Sequence, residues 1–380
     1  MGEPVYLDCN ATTPVDARVA KLALHFMTEE FGNAGSRTHE FGARAAAAVQ
    51  RARAQVAAVV HAQPNEVVFT SGATEADNLA LLGAARAAAR LGQGRHIVST
   101  QIEHKAVLEP LQQLTSEGFE ITLVPPTPGG WVDPSAIAAV LRPNTILVSV
   151  MHVNNETGVI QPLREIGALL QDHPALFHSD AAQGFGKERT ELSTERLDLI
   201  AVSGHKVFAP KGIGALIMRR RNGRRPSLAP LMFGGGQEGG LRPGTVPVAL
   251  AAALGLAAQL AEEELPRREN ACLRFRNRLA PVLAELGFVS NGDASRTLPH
   301  VLNVRLPRVD SEALMLALKE VAAISNGAAC ASHSYRSSHV LQAQGLSSSD
   351  IASSVRISWC HDSDDIDVDA LRRAVRTLVA

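Results

Sequence analysis

The sequence predicts an α/β protein, with a large domain on a mainly parallel, seven-stranded sheet and a smaller α+β domain beside it. Three observations predict this. From residue 65 to 218, short apolar and β-branched runs alternate with Ala/Leu-rich stretches at helical spacing, the pattern of a parallel sheet covered by helices on both faces. A Gly/Pro-rich stretch, FGGGQEGGLRPGTVP at 233–247, ends that alternation and reads as a functional loop. The last third of the chain returns to short strands with helices between and after them, an arrangement the first residues could join. Residues 15–260 are assigned to the large domain, and residues 1–14 with 261–380 to the small one.

The strand candidates of the large domain are EVVFTS (66–71), HIVST (96–100), ITLVP (121–125), TILVSVMHV (145–153), ALFHSD (175–180), LDLIAVS (197–203) and GALIMR (214–219). Each is short, apolar or β-branched, and bounded by turn formers. Helices such as EADNLALLGAARAAARL (75–91) and LREIGALLQ (163–171) lie between them, and a long helical pattern follows the Gly/Pro-rich stretch through Leu286. The tail adds strand candidates HVLNVRL (300–306), AAISNG (322–327) and SVRISW (354–359).

The 380 residues are 46% hydrophobic and 20% charged, with a formal net charge of −1. The chain as a whole therefore has no long-range pull towards nucleic acid, anionic lipid or acidic substrates. MGEPVYLDCNATTPVD lacks the basic segment and apolar run of a signal peptide, and no stretch approaches about 18 uninterrupted apolar residues, so a cytoplasmic protein off the membrane is expected. Cys9, Cys272, Cys330 and Cys360 are widely spaced with no CxxC pair, which suggests neither a disulfide framework nor a zinc site. MRRRNGRRP (218–226) carries five arginines around an Asn-Gly turn signal. It reads as a solvated hairpin tip rather than a nucleic-acid contact.

Candidate chemistry collects at strand ends, where open α/β sheets hold ligands. In TSGATEADN, Thr70 ends a strand and Ala73, Thr74 and Glu75 open a helix, whose free amides suit a phosphate. A helix cap that binds nothing is the plain alternative. Ser203, His205 and Lys206 follow the strand LDLIAVS, presenting a lysine as a Schiff base would require, although a lone lysine is ordinarily solvated surface. Asp180, three residues before Gln183, ends another strand; a carboxylate there can keep a pyridine nitrogen protonated, or can cap a helix. His104 and Asn155 also follow strands, the first able to stack on a planar cofactor and move protons, the second to hydrogen-bond a ring oxygen.

With these positions in view, the sequence resembles the cysteine desulfurases of the nitrogen-fixation and iron–sulfur-cluster type, within the fold-type-I pyridoxal-phosphate enzymes. The matching segments run in order from residue 7 to 358: LDCNATTPVD, FGNAGSRTHEFG, TSGATEADNLAL, EHKAVLEPL, TILVSVMHVNNETGVIQ, HSDAAQG, SGHKVFAPKGIGAL, GGGQEGGLRPGT, SNGAACAS and SVRIS. The resemblance implies a fold-type-I transferase with bound pyridoxal 5'-phosphate. It makes Lys206 similar to the Schiff-base lysine, Asp180 to the pyridinium partner and His104 to the stacked histidine. Asn155 and Gln183 would lie near the phenolic oxygen, and Ala73, Thr74, Ser203 and His205 would form the phosphate cup. Thr245 would reach the phosphate from the other subunit of a homodimer, and Asn155 and Arg356 would meet the substrate.

SNGAACAS places Cys330 among small residues, and the resemblance makes it the nucleophile that takes sulfur from L-cysteine, leaving alanine and a persulfide. A lone cysteine otherwise reads as a small buried thiol. An acceptor protein would then collect the sulfur for iron–sulfur assembly, thiolated nucleosides or DNA phosphorothioation, with at most a transient iron–sulfur contact at Cys330 and no resident metal. Selenocysteine lyase chemistry on the same scaffold, or an idle sulfur-relay scaffold, stays open. The chain departs from the family at Ala34, Gly35 and Ser36 after FGN, at RPGT where RSGT is usual, and at Asn326 where serine is common.

Overall fold

The computed structural model describes residues 3–326 and 337–379. Seven strands form one sheet in the order Val67–Thr70, Gly214–Met218, Leu199–Ser203, Leu176–Asp180, Thr145–Ser149, His96–Thr100 and Glu120–Val124. All neighbours are parallel except the two pairings made by Gly214–Met218, which runs antiparallel between Val67–Thr70 and Leu199–Ser203. The inner strands are almost wholly buried, which is why they read as continuous apolar runs rather than as alternating ones. This is the mainly parallel, seven-stranded sheet expected from the sequence.

The helix Ala73–Arg90 lies against the sheet through Ala76, Leu79, Ala80 and Ala84, and against the Leu228–Ala229 segment through Gly83. Small side chains allow that close approach. At Gly83 a Cβ would stand 2.9 Å from the Ala229 carbonyl, whose own N–H bonds the Gly83 carbonyl at 2.9 Å. The first turn of this helix consequently points past the carboxyl ends of the parallel strands.

One apolar cluster runs from Val19 to Ala261 and takes in Val340. A second joins Leu7 to side chains between Cys272 and Val375. In the latter, Val289–Ser290, Val301–Arg305 and Ser354–Ser358 form an antiparallel sheet, and Val5–Tyr6 pairs in parallel with Ala322–Ala323. Trp359 is fully buried there, its indole N–H donating to the Cys272 carbonyl at 3.1 Å.

Several details differ from the sequence reading. The helical pattern through Leu286 is two helices, Val248–Glu263 and Leu265–Glu285, with Pro266 in the first turn of the second, where its missing N–H breaks no helical bond. Among the described residues of AAISNG, only Ala322–Ala323 is strand. The Asn-Gly turn is present, with Asn222 and Gly223 at positive φ between paired Arg221 and Arg224. Arg219, however, is no part of a solvated tip: it is buried and donates to the carbonyls of Val60, Leu192 and Thr194. No helix among the described residues is long and apolar enough to cross a membrane.

Candidate active site

At the carboxyl edge of the parallel strands lies a cavity of about 570 Å3 lined by Ala73, Thr74, His104, Asn155, Asp180, Gln183, Ser203, His205, Lys206 and Arg356. Residues far apart in sequence meet there because most of them follow, or end, strands of the large sheet, while Arg356 comes from the middle of Ser354–Ser358 in the small antiparallel sheet. Lys206 closes a single 3-10 turn, Gly204–Lys206, directly after Leu199–Ser203. Its Nζ donates to the carbonyls of Asn10 and Ala11, the latter at 2.9 Å. His205 Nδ1 lies 3.1 Å from Thr12 Oγ1, and the His205 carbonyl accepts the Thr13 amide at 3.0 Å. Burial, then the charge of Lys206, pushes the His205 imidazole down to about 4, so near neutral pH it acts as an uncharged partner.

Asp180 is the last residue of Leu176–Asp180, and its Oδ1 accepts the Ala182 amide at 2.9 Å, a turn that starts the next segment. Gln183 Nε2 donates to the Asn10 carbonyl at 3.0 Å. Gln183 Oε1 and Asn10 Oδ1 are buried with no hydrogen-bond partner among the described residues. Two orphaned acceptors beside one cavity are what a ligand with donors would relieve.

Across the cavity, Gly72 caps the helix Ala73–Arg90 with no side chain of its own, leaving the first amides free of a capping side chain. Thr70 Oγ1 is held on the Gly72 carbonyl at 2.9 Å, and the Ser71 amide donates to Glu75 Oε2 at 2.7 Å. Glu75 is itself paired with Arg242 at 2.9 Å. Glu75 lines the same cavity, and the Arg242 guanidinium offsets its charge there. The free amides and the helix dipole then favour a phosphate.

His104 caps the helix Lys105–Ser116, its Nδ1 accepting the Ala106 amide at 3.1 Å. Accepting at Nδ1 puts the proton of the neutral ring on Nε2. The adjacent asparagines divide the work of their turn. Asn154 is wholly buried and holds the backbone, Oδ1 accepting the amides of Glu156 and Thr157 at 2.9 Å, while Asn155 lines the cavity. Arg356, on Ser354–Ser358, donates through Nη1 to the Asn155 carbonyl at 2.9 Å and through Nη2 to Asp8 Oδ1 at 2.6 Å and Ser325 Oγ at 3.0 Å. Its Nε–H has no partner among the described residues.

Below Asp180 the interior is acidic. Burial, reinforced by Asp180 and Glu103, raises the Asp77 carboxyl well above its usual range, with His178 Nε2 at 3.3 Å from its Oδ1. Burial also pushes the Glu103 carboxyl up to about 8, although Thr100 Oγ1 and the Met151 amide both donate to its Oε1. Burial lowers His178 to about 3, which keeps it neutral.

This set fits pyridoxal phosphate: free amides at a helix start for the phosphate, a strand-end carboxylate for the ring nitrogen, orphaned amide oxygens, and a lysine that reaches the same space. Thr245 is exposed and does not line this cavity of its own chain. Cys330 lies outside the described residues. Asp8, Asn10 and Ala11 were not assigned roles from the sequence, although LDCNATTPVD is among the segments that carry the resemblance. Their signal was a polar pair, Asp8 and Asn10, set among small residues near the chain start.

The class-V aminotransferase family matches residues 5–371. A protein named cysteine desulfurase IscS from Vibrio cholerae serotype O1 (strain ATCC 39541) is 44% identical over 379 residues, covering 99% of this chain and 93% of the relative. Among solved structures, DndA from Streptomyces lividans is 49% identical with a TM-score of 0.82, covering 93% of this chain and 99% of its own. A structure described as SspA in complex with cysteine is 36% identical with a TM-score of 0.82, covering 93% and 98%.

Proposed function

We propose, from the premise that this chain belongs to the class-V aminotransferase family and is a cysteine desulfurase, that Lys206 and Cys330 carry out its reaction on L-cysteine in the cavity described above. Class-V aminotransferases are in general pyridoxal-phosphate-dependent, and cysteine desulfurases pass the sulfur of cysteine to acceptors. The observation that carries the residue assignment is the convergence of Lys206, Asp180, His104, Gln183, Asn155 and Arg356 on one cavity wall. That SspA binds cysteine supports the substrate.

When bound, the cofactor supplies an electron sink at the substrate Cα. The amides of Ala73 and Thr74, with Ser203 and neutral His205, would hold its phosphate, and Thr245 of the second subunit would complete the cup. Asp180 would hold the pyridine nitrogen in its protonated form. Gln183, Asn155 and His104 would hold the rest of the ring. Arg356 turns its Nε–H and a shared Nη2–H to the substrate carboxylate, exchanging part of its contact with Asp8. Lys206 Nζ removes the Cα proton. Cys330 thiolate attacks the substrate Sγ, the Cβ–Sγ bond breaks, and the sulfur stays on Cys330 as a persulfide while alanine forms, His104 Nε2 handing on a proton.

Homodimerisation and delivery to an acceptor protein, for cluster assembly, thiolated nucleosides or DNA phosphorothioation, belong to the same reading. Phe233, 85% exposed in the segment that carries Thr245, supports the dimer, since a monomer leaves that ring in water. A cytoplasmic location suits Cys9, Cys272 and Cys360, which are all free thiols. The two-domain division at residues 15–260 is supported by the separate apolar clusters.

Replacing Cys330 by Ser tests the assignment. The variant should keep bound cofactor and cysteine affinity while alanine formation falls by orders of magnitude, because a hydroxyl does not ionise near neutral pH. In the unaltered enzyme, peptide mapping after alkylation should find one sulfane sulfur, on Cys330. Undiminished alanine formation by the serine variant, or persulfide chiefly on Cys9, Cys272 or Cys360, refutes the role.

A further inference from the structure

We propose that Cys9 and Cys360 form a modification site, a dithiol that hydrogen peroxide, as a small neutral hydroperoxide, oxidises to a reversible disulfide. The backbone brings the two residues together. Asp8 bridges Ser358 in parallel, with the Ser358 amide on the Leu7 carbonyl at 2.8 Å and the Cys9 amide on the Ser358 carbonyl at 2.9 Å. The chain leaving that bridge through Trp359 brings Cys360 beside Cys9, near enough for each thiol to perturb the ionisation of the other. The Ser363 hydroxyl donates to the same Cys360 Sγ at 3.6 Å, while the Cys360 amide is held on Ser363 Oγ at 2.9 Å.

The Ser363 donor and the neighbouring Cys9 thiol favour the Cys360 thiolate. The Cys9 thiol, ahead of burial and with help from Ser363, pushes Cys360 down to about 6, and Cys9 in turn is raised. A small cavity of about 40 Å3, lined by Cys360, Lys187, Cys272 and His361, adjoins this sulfur and is large enough for a molecule of peroxide size. The Lys187 amine faces it, lowered to about 8 by burial and drawn back towards its charged form by Cys9, Cys272 and Cys360. Cys272 shares the cavity but not the hydrogen bonds, and burial pushes its thiol up to about 12. It serves as an internal comparator.

The chemistry balances. Cys360 thiolate attacks one peroxide oxygen, the O–O bond breaks, and the departing hydroxide takes a proton to leave as water, giving a sulfenic acid. Cys9 sulfur then attacks that sulfur, the S–S bond forms, the S–O bond breaks, and the leaving hydroxide takes the Cys9 proton. One peroxide is reduced to two waters as two thiols become one disulfide. The new bond would tie the segment that carries Asp8 and Asn10, which hold Arg356 and Lys206, to the end of the strand that bears Arg356.

The test uses the full-length holoenzyme carrying Cys330→Ala, so that its failure is separable from failure of the desulfurase assignment. After hydrogen peroxide and denaturing alkylation, two thiols should disappear together, one peptide pair joined through Cys9 and Cys360 should appear, and dithiothreitol should restore both. The rate should level off above about pH 6, as a thiolate already formed requires. In Cys9→Ser, Cys360 should instead proceed to sulfinic acid. A link through Cys272, oxidation of Cys360 without a link while Cys9 is present, or a rate no faster than that of Cys272 overturns the proposal.

Discussion

Arg356→Lys removes the guanidinium fork and keeps the charge, which makes it a measure of how much of the substrate grip comes from geometry. Three of the five N–H donors of Arg356 are engaged, by the Asn155 carbonyl, Asp8 Oδ1 and Ser325 Oγ, and the side chain is almost wholly buried. A lysine ammonium reaches Asp8 as a single point and has no counterpart to Nε–H, so a substrate carboxylate loses one of two parallel charge-assisted bonds. Such a bond contributes about 1.5–3 kcal/mol, equivalent to a roughly 10- to 150-fold rise in KM for cysteine. Because the carboxylate is held equally before and during reaction, kcat should change little. Initial rates of alanine formation across a range of cysteine concentrations measure both constants. A folded, cofactor-loaded variant with the original KM would falsify the assignment of Arg356 to the substrate carboxylate.

Three further outcomes follow from the same geometry. Lys206→Ala should lose the borohydride-reducible link to the cofactor and all activity yet remain folded, as thermal melting would show, because the amine lies at the cavity wall, where it donates to the carbonyls of Asn10 and Ala11, and contributes no apolar packing to the core. Asp180→Asn should keep its turn bond to Ala182 but weaken cofactor retention on dialysis and cut kcat at least about tenfold, one power of ten corresponding to ~1.4 kcal/mol; retention and kcat equal to the parent enzyme would reduce Asp180 to a turn residue. Glu103→Gln tests the buried acid. Its carboxyl is raised from 4.5 to about 8, so the native protein holds a proton that the unfolded chain releases as pH rises through 4.5, and this stabilising term is lost by about pH 8. Denaturant unfolding near the two ends of that window should therefore show the glutamine variant gaining on the parent as pH rises, by an amount on the order of a few kcal/mol; a pH-independent difference contradicts this.

The strands of the large sheet were legible because burial on both faces leaves an apolar signature that needs no partner to be recognised, as in LIAVS at Leu199–Ser203. Asp180 and Lys206 were legible for a related reason: each stands at or just past the end of such a strand, where a lysine or aspartate is out of keeping with what precedes it. Asp8 and Asn10 were not, since their roles depend on Arg356 and Lys206, 348 and 196 residues away. Long-range pairing leaves no local pattern. The break between Val248–Glu263 and Leu265–Glu285 was hidden because both halves keep a helical period, and a proline in a first turn does not by itself announce a new helix. Arg219 misled because neighbouring arginines suggest solvent, whereas its fork is spent on three carbonyls of the interior.

The antiparallel strand Gly214–Met218 has a consequence for how this scaffold can be altered. Gly214 stands in register with Thr70 on one side and Ser203 on the other, and the chain between, from Gly204 to Ile213, is closed by the Gly204 amide on the Ile213 carbonyl at 2.9 Å. A Cβ at Gly214 would lie 2.4 Å from the Val202 carbonyl and 2.6 Å from Gly72 Cα, so the row has no slack. The glycine thus works as a gauge block between the phosphate end and the lysine end of the site. Residues inserted between Phe208 and Gly212 would lengthen an excursion that leaves and re-enters the sheet at the same row, changing the mouth of the cavity while the spacing of its two anchors stays constant. Substrate range could drift through that loop, and cofactor geometry could not.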